Sequence, residues 1–102
     1  MISVAANTQE QIKNIIRQAF AAAQGAGELP DTAPAAFTVE VPGDTAKGDF
    51  ATNAAMVNAK TFHMAPRKLA EILTARLDLS GTEIARWEVA GPGFINFFVT
   101  PH

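Results

Sequence analysis

Apolar positions recur at helical spacing in the first quarter of the chain. Ile12, Ile15, Ile16, Ala19, Phe20 and Ala23 fall on one face of an α-helix. Thr8 and Gln11 stand at capping-box spacing ahead of that stripe, and Gly25 and Gly27 punctuate its far end. A helix over about residues 8–24 is therefore predicted. Residues 25–36 hold two Gly and two Pro and read as a surface loop. The period then changes to two. Phe37-Thr38-Val39-Glu40-Val41 alternates, which predicts a strand with Phe37, Val39 and Val41 facing inward and Pro42-Gly43 ending it. Residues 44–48 are polar. Asp49 then stands as a helix N-cap before Phe50–Val57, a helix expected to run to about Met64.

Pro66 suits the first turn of another helix, with Leu69, Ile72, Leu73 and Leu77 as its buried stripe and Arg76 at the edge. Asp78 to Thr82 is a turn. Alternation returns over Ile84–Ala90, placing Ala85, Trp87 and Val89 on one face and Arg86 and Glu88 on the other. Trp87 and Val89 are expected to be buried. Gly91-Pro92-Gly93 breaks the run, and Phe94–Val99 forms the last strand, so the chain ends in an antiparallel hairpin with a glycine-rich tip. The predicted order is α-β-α-α-β-β. That order implies an α+β fold: a small antiparallel sheet of three to four strands packed against helices, with room for a fourth strand in residues 26–36.

Composition narrows the class of protein. A chain of 102 residues, 48% of them apolar, supports one compact domain over 1–102. The absence of cysteine excludes a disulfide scaffold, a thiolate metal site and a cysteine nucleophile. No apolar run approaches the roughly 18–20 residues that span a bilayer. Met1–Asn7 lacks the basic start of a signal peptide, so a cytoplasmic protein without a membrane partner is expected.

The net charge of −2 is unlike that of a dedicated nucleic-acid binder, but the charge is unevenly spread. Residues 44–68 carry Lys47, Lys60, Arg67 and Lys68 against Asp44 and Asp49, and the segments on either side are acidic. The basic middle is either an ordinary solvated face or part of a binding surface.

No residue constellation amounts to a catalytic centre. His63 and His102 lack carboxylate partners at ligand spacing, no glycine-rich phosphate loop opens a helix, and the carboxylates are scattered. Two features of the hairpin stand out instead. Gly91 and Gly93 leave the backbone bare at the tip, where a partner can approach closely. In the last strand, Phe94, Asn96 and Phe98 share one face, opposite Ile95, Phe97 and Val99. An aromatic ring beside an amide suits an extruded nucleobase, which stacks on the first and hydrogen-bonds to the second. The residues equally admit a structural role, with Phe94 in the core and Asn96 satisfying backbone groups.

Three strings carry a family resemblance. Gly48-Asp49-Phe50-Ala51-Thr52-Asn53, Pro66-Arg67-Lys68-Leu69-Ala70-Glu71 and Val89-Ala90-Gly91-Pro92-Gly93-Phe94-Ile95-Asn96 resemble, in order and spacing, segments of the N-terminal domains of arginyl-tRNA synthetases. The resemblance covers nearly the whole chain and is weakest over 26–46. It implies a domain that precedes a class I catalytic domain and contacts tRNA-Arg where the D-loop is exposed. Phe94 and Asn96 match the family's base-recognition pair, with Phe where some members have Tyr. The resemblance thus implies a tRNA-binding site of Phe94, Asn96, Gly91 and Gly93, to which the basic Lys47, Arg67 and Lys68 are added. The catalytic signatures HIGH and KMSKS are absent. No cofactor is therefore expected in this chain, ATP and magnesium belong to the parent enzyme, and the partners are tRNA-Arg and the catalytic domain of the parent chain. The chain by itself is expected to be inactive in aminoacylation. The contrasting reading is a non-catalytic protein-interaction module that uses the hairpin's apolar face.

Overall fold

A computed structural model of the protein describes residues 4–43 and 48–100. Helix α1 spans Val4–Gly25, strand β1 Val39–Glu40, strand β2 Phe50–Thr52, helix α2 Ala54–Asn58, helix α3 Pro66–Ala75, strand β3 Ile84–Ala90 and strand β4 Phe94–Val99. The four strands form one sheet in the order β1-β2-β4-β3, with every neighbouring pair antiparallel. The helices cover one face of it, which is the α+β arrangement expected from the alternation of periods.

The core forms where the apolar stripes meet. Ile12, Ile16, Ala19 and Phe20 from α1, Leu69, Ala70 and Leu73 from α3, and Ile95 and Phe97 from β4 are all sealed from solvent. Each of the large side chains contributes roughly 1.5–3 kcal/mol by burial. Phe20 stacks on Phe62 with ring centroids 5.5 Å apart, which ties α1 to the turns that follow α2.

The structure departs from the sequence reading at several places, among them the second helix, which ends at Asn58 instead of near Met64, and Ala85, which a bulge in β3 leaves exposed instead of on the face of Trp87. Helix α1 begins at Val4, so Thr8 is inside it rather than capping it. Thr8 is buried, and its hydroxyl donates to Glu83 Oε2 at 3.3 Å. The strand predicted over 37–41 is only two residues long; Val39 faces the core, but Val41 is exposed instead of inward. The helix expected after Asp49 begins with a strand, because Phe50–Thr52 pairs with β1 on one side and β4 on the other. This is the fourth strand, and it lies outside residues 26–36. Asp49 caps no helix: its N–H donates to the Phe97 carbonyl at 2.9 Å, and its Oδ2 accepts the Val99 N–H at 3.0 Å. Trp87 is 38% exposed rather than buried. Its facing is as predicted, since it pairs with the sealed Phe97, but β3 is an edge strand and nothing covers its outer side.

The C-terminal hairpin, the glycine end of α1, and Pro66 opening α3 all stand as the sequence implies. Gly27, at φ +79°, turns the chain after α1, and the Glu28 N–H donates back to the Ala23 carbonyl at 2.8 Å.

Candidate functional site

The three strings singled out in the sequence converge on β4. Gly48 lies against its middle. A Cβ there would stand 2.8 Å from the Phe97 carbonyl oxygen, and φ is +95°, so only glycine fits. From the other side, Pro66 and Arg67 at the start of α3 hold the hairpin tip. A Cβ on Gly93 would sit 2.8 Å from Pro66 Cβ, at φ +141°. Arg67 Nη1 donates to the Gly91 carbonyl at 2.8 Å. The glycines thus permit two close approaches, and the tip is anchored to a helix instead of hanging in solvent.

The register then sets what the face of the sheet away from the core displays. Ala90 pairs with Phe94, Glu88 with Asn96, and Arg86 with Phe98, while Asn96 also pairs with Ala51 and Ala51 with Glu40. One row across all four strands therefore reads Glu40, Ala51, Asn96, Glu88. Ala51, Ala90, Gly91, Pro92, Phe94 and Asn96, together with Pro42, line a cleft of about 390 Å³.

Phe94 and Asn96 occupy this cleft in different ways. Phe94 is 39% exposed, more than a core ring allows. Asn96 is 95% buried, yet its side chain hydrogen-bonds to none of the described residues. No fully buried side-chain nitrogen or oxygen among those residues lacks a partner, so the Asn96 amide keeps its contact with solvent through the cleft. An amide offers two donors and an acceptor. The arrangement is a narrow polar floor beside an apolar wall, which is what a planar heterocycle requires.

Of the remaining candidates, Arg67 and Lys68 are exposed at the start of α3, with Arg67 reaching the tip. Lys47 lies outside the described residues. Among the described residues, no three His, Cys, Asp or Glu side chains are grouped to hold a metal ion, and no helix is long and apolar enough to cross a membrane.

Sequence reasoning missed the polar residues that hold the long loop. Asn58 is fully buried; it donates to the carbonyls of Ala35 and Ala54 at 3.2 and 2.9 Å and accepts the Ala35 N–H at 2.6 Å. Asn53 Oδ1 accepts the Thr38 N–H at 2.9 Å, and the Thr52 hydroxyl donates to the Thr38 carbonyl at 2.8 Å. Nothing in local spacing marks them, because their partners in the loop lie 14 to 23 residues away.

A family profile described as the arginyl tRNA synthetase N terminal domain matches residues 10–99. The arginine–tRNA ligase of Acetivibrio thermocellus is 44% identical over 100 residues, 98% of this chain and 18% of that protein. That of Desulfosudis oleivorans is 45% identical over 93 residues, 91% of this chain and 17% of that protein. The chain thus spans less than a fifth of the length of these relatives. Among solved structures, the arginyl-tRNA synthetase of Plasmodium falciparum superposes with a TM-score of 0.69 at 16% identity, over 90% of this chain and 16% of that one. That likeness is one of fold.

Proposed function

The chain belongs to the family of arginyl-tRNA synthetase N-terminal domains, and from that premise we propose that its task is to recognise tRNA-Arg by reading one exposed D-loop base in the cleft beside the hairpin tip. The observation that carries the reading is Asn96: a nearly buried amide without a protein partner, next to a half-exposed ring. Its amide nitrogen and oxygen keep access to the cleft and are engaged by none of the described residues, so two donors and an acceptor are available to pair with the edge of a ligand. Phe94 supplies the stacking surface and, lacking a hydroxyl, no hydrogen bond of its own. Gly91, exposed at the tip, lets the nucleotide backbone approach, whereas Gly93 is buried against Pro66 and serves only to anchor the tip. Arg67 and Lys68 contribute positive charge beside it, and Lys47, outside the described residues, is assigned to the site from the sequence. The catalytic body of a longer cytoplasmic parent ligase activates arginine with ATP and magnesium and charges the tRNA; this chain positions and discriminates the tRNA.

The test is a binding cycle with tRNA-Arg transcripts that differ only at the D-loop base. Phe94→Ala and Asn96→Ala should each weaken binding of the native transcript by roughly five- to a hundredfold, the worth of about 1–3 kcal/mol for one stacked base. On the base-substituted transcript they should lose little further, because the partner of the missing side chain is already wrong. If mutant and wild type suffer equally from the base change, the pair does not read that base.

A further inference from the structure

Arg86 is not among the residues assigned above, yet it lies on the same face of the sheet. It pairs with Phe98 across the hairpin, and its Cζ lies 3.6 Å from the centre of the Phe98 ring. The ring holds the guanidinium over it, and of the five N–H donors that a guanidinium carries, those on Nη1 approach the Glu88 carboxylate. Phe98 follows Asn96 by two strand residues on the same face, about 7 Å along β4. The charge therefore stands beside the cleft at about the reach of one nucleotide's ribose and phosphate.

The other charged groups on this face do not hold it. Glu88 approaches Arg86 at 3.8 Å, but both side chains are more than half exposed, so the pair is solvent-screened and readily exchanged. Asp49 is engaged by the Val99 N–H. Glu40 lies on the far edge of the sheet, beyond Ala51.

We propose that Arg86, held flat on Phe98, is a phosphate contact for the nucleotide whose base occupies the Phe94–Asn96 cleft. The proposal rests on the reading of that cleft as a nucleotide site and adds a residue to it. A phosphate contact by an arginine releases counterions, and a contact to a base edge releases none. The two roles therefore separate in a salt series.

The experiment measures binding of fluorescently labelled tRNA-Arg transcript to the 102-residue chain from low to moderate salt. Arg86→Gln should lower affinity roughly two- to fivefold at low salt. It should also reduce the slope of log affinity against log salt by about one, equally for transcripts with native and substituted D-loop bases. Arg86→Lys should retain the slope, and Glu88→Gln, which removes the competing carboxylate, should raise affinity. Circular dichroism confirms that each variant is folded. An Arg86→Gln variant that binds with wild-type affinity and slope overturns the proposal, even where Asn96→Ala abolishes base discrimination. The converse result, a lowered slope with Arg86→Gln and no change of discrimination with Asn96→Ala, sustains the phosphate contact and sinks the base-reading cleft instead.

Discussion

Two buried amides, one in α2 and one in β4, show how differently the same side chain is used. Asn58, at the end of α2, makes three hydrogen bonds and thereby pins the loop that follows α1. The whole of that region is satisfied in the same way. Gln24 donates to the carbonyls of Pro30 and Thr32, Asn53 accepts from Thr38, and Arg76 reaches Glu28. Asn96, in the hairpin, is almost as buried and makes no side-chain hydrogen bond among the described residues. Beside it on the same face, Phe94 is more than a third exposed. The first region spends its polar atoms on holding an irregular segment. The second leaves an amide and a ring facing a cleft, with a cation over Phe98 on the same face of the sheet. Burial alone does not distinguish the two roles; the partner count does.

The sharpest test of that contrast is a pair of stability measurements. Asn58→Ala should destabilise the chain by roughly 2–3 kcal/mol, because it strands the N–H and carbonyl of Ala35. Asn96→Ala should cost less, about 1 kcal/mol or below, since it loses the packing of a buried side chain but no intramolecular bond. Urea unfolding of both, at unchanged m-value, gives the comparison. Equal losses would mean that Asn96 holds the fold as Asn58 does, and the cleft would lose its claim to a ligand.

A smaller effect tests the edge of the hairpin. Trp87 faces the core side but overhangs an edge strand, and it is 38% exposed. Trp87→Ala should therefore cost about 1–2 kcal/mol, below the roughly 3–5 kcal/mol of a sealed aromatic. A loss in the higher range would show that Trp87 packs as deeply as Phe97 and that the edge is closed.

The same residues explain how far the sequence could be read. Strand facing was legible because a period of two persists over residues 86–90 and Phe94–Val99, and it failed at Ile84 and Ala85, where a bulge turns Ile84 to the core and leaves Ala85 exposed. The depth of Trp87 was not, since strand order in the sheet decides which strand is at the edge. The stripe of α1 was legible over many turns, but its first residues carry no apolar period, and the capping spacing at Thr8 proved coincidental. Phe50–Thr52 escaped because three residues are too few to show alternation, and their pairing partners Ile95–Phe97 lie far along the chain. The Phe94–Asn96 pair was found by face and by resemblance. That the amide lacks a partner, and that Arg86 lies on Phe98, required the register. So did the meeting of Gly48 and Pro66 on β4.

The weakest expected effect lies in the satisfied region and depends on pH. Arg76 Nε donates to Glu28 Oε1 at 2.9 Å, joining the loop after α1 to the end of α3. The hydrogen bond and the charge of Arg76 hold the Glu28 carboxyl below its ordinary pKa, and Glu28 in turn holds the guanidinium above its own. A depressed carboxylate stabilises the fold at pH values above its unfolded pKa. That contribution disappears as pH falls through the lower, folded value. Both side chains are substantially exposed, so the effect is screened and small. Glu28→Gln should therefore lower the thermal midpoint slightly at neutral pH and low salt. The gap from wild type should narrow as pH drops below the ordinary glutamate value, and it should close once Glu28 is protonated in the folded chain. Arg76→Gln should give a matching curve, and added salt should shrink both. A gap that persists unchanged into acid would assign the loss to packing rather than charge, and the Asn58 clamp, not the ion pair, would then account for the hold on the loop.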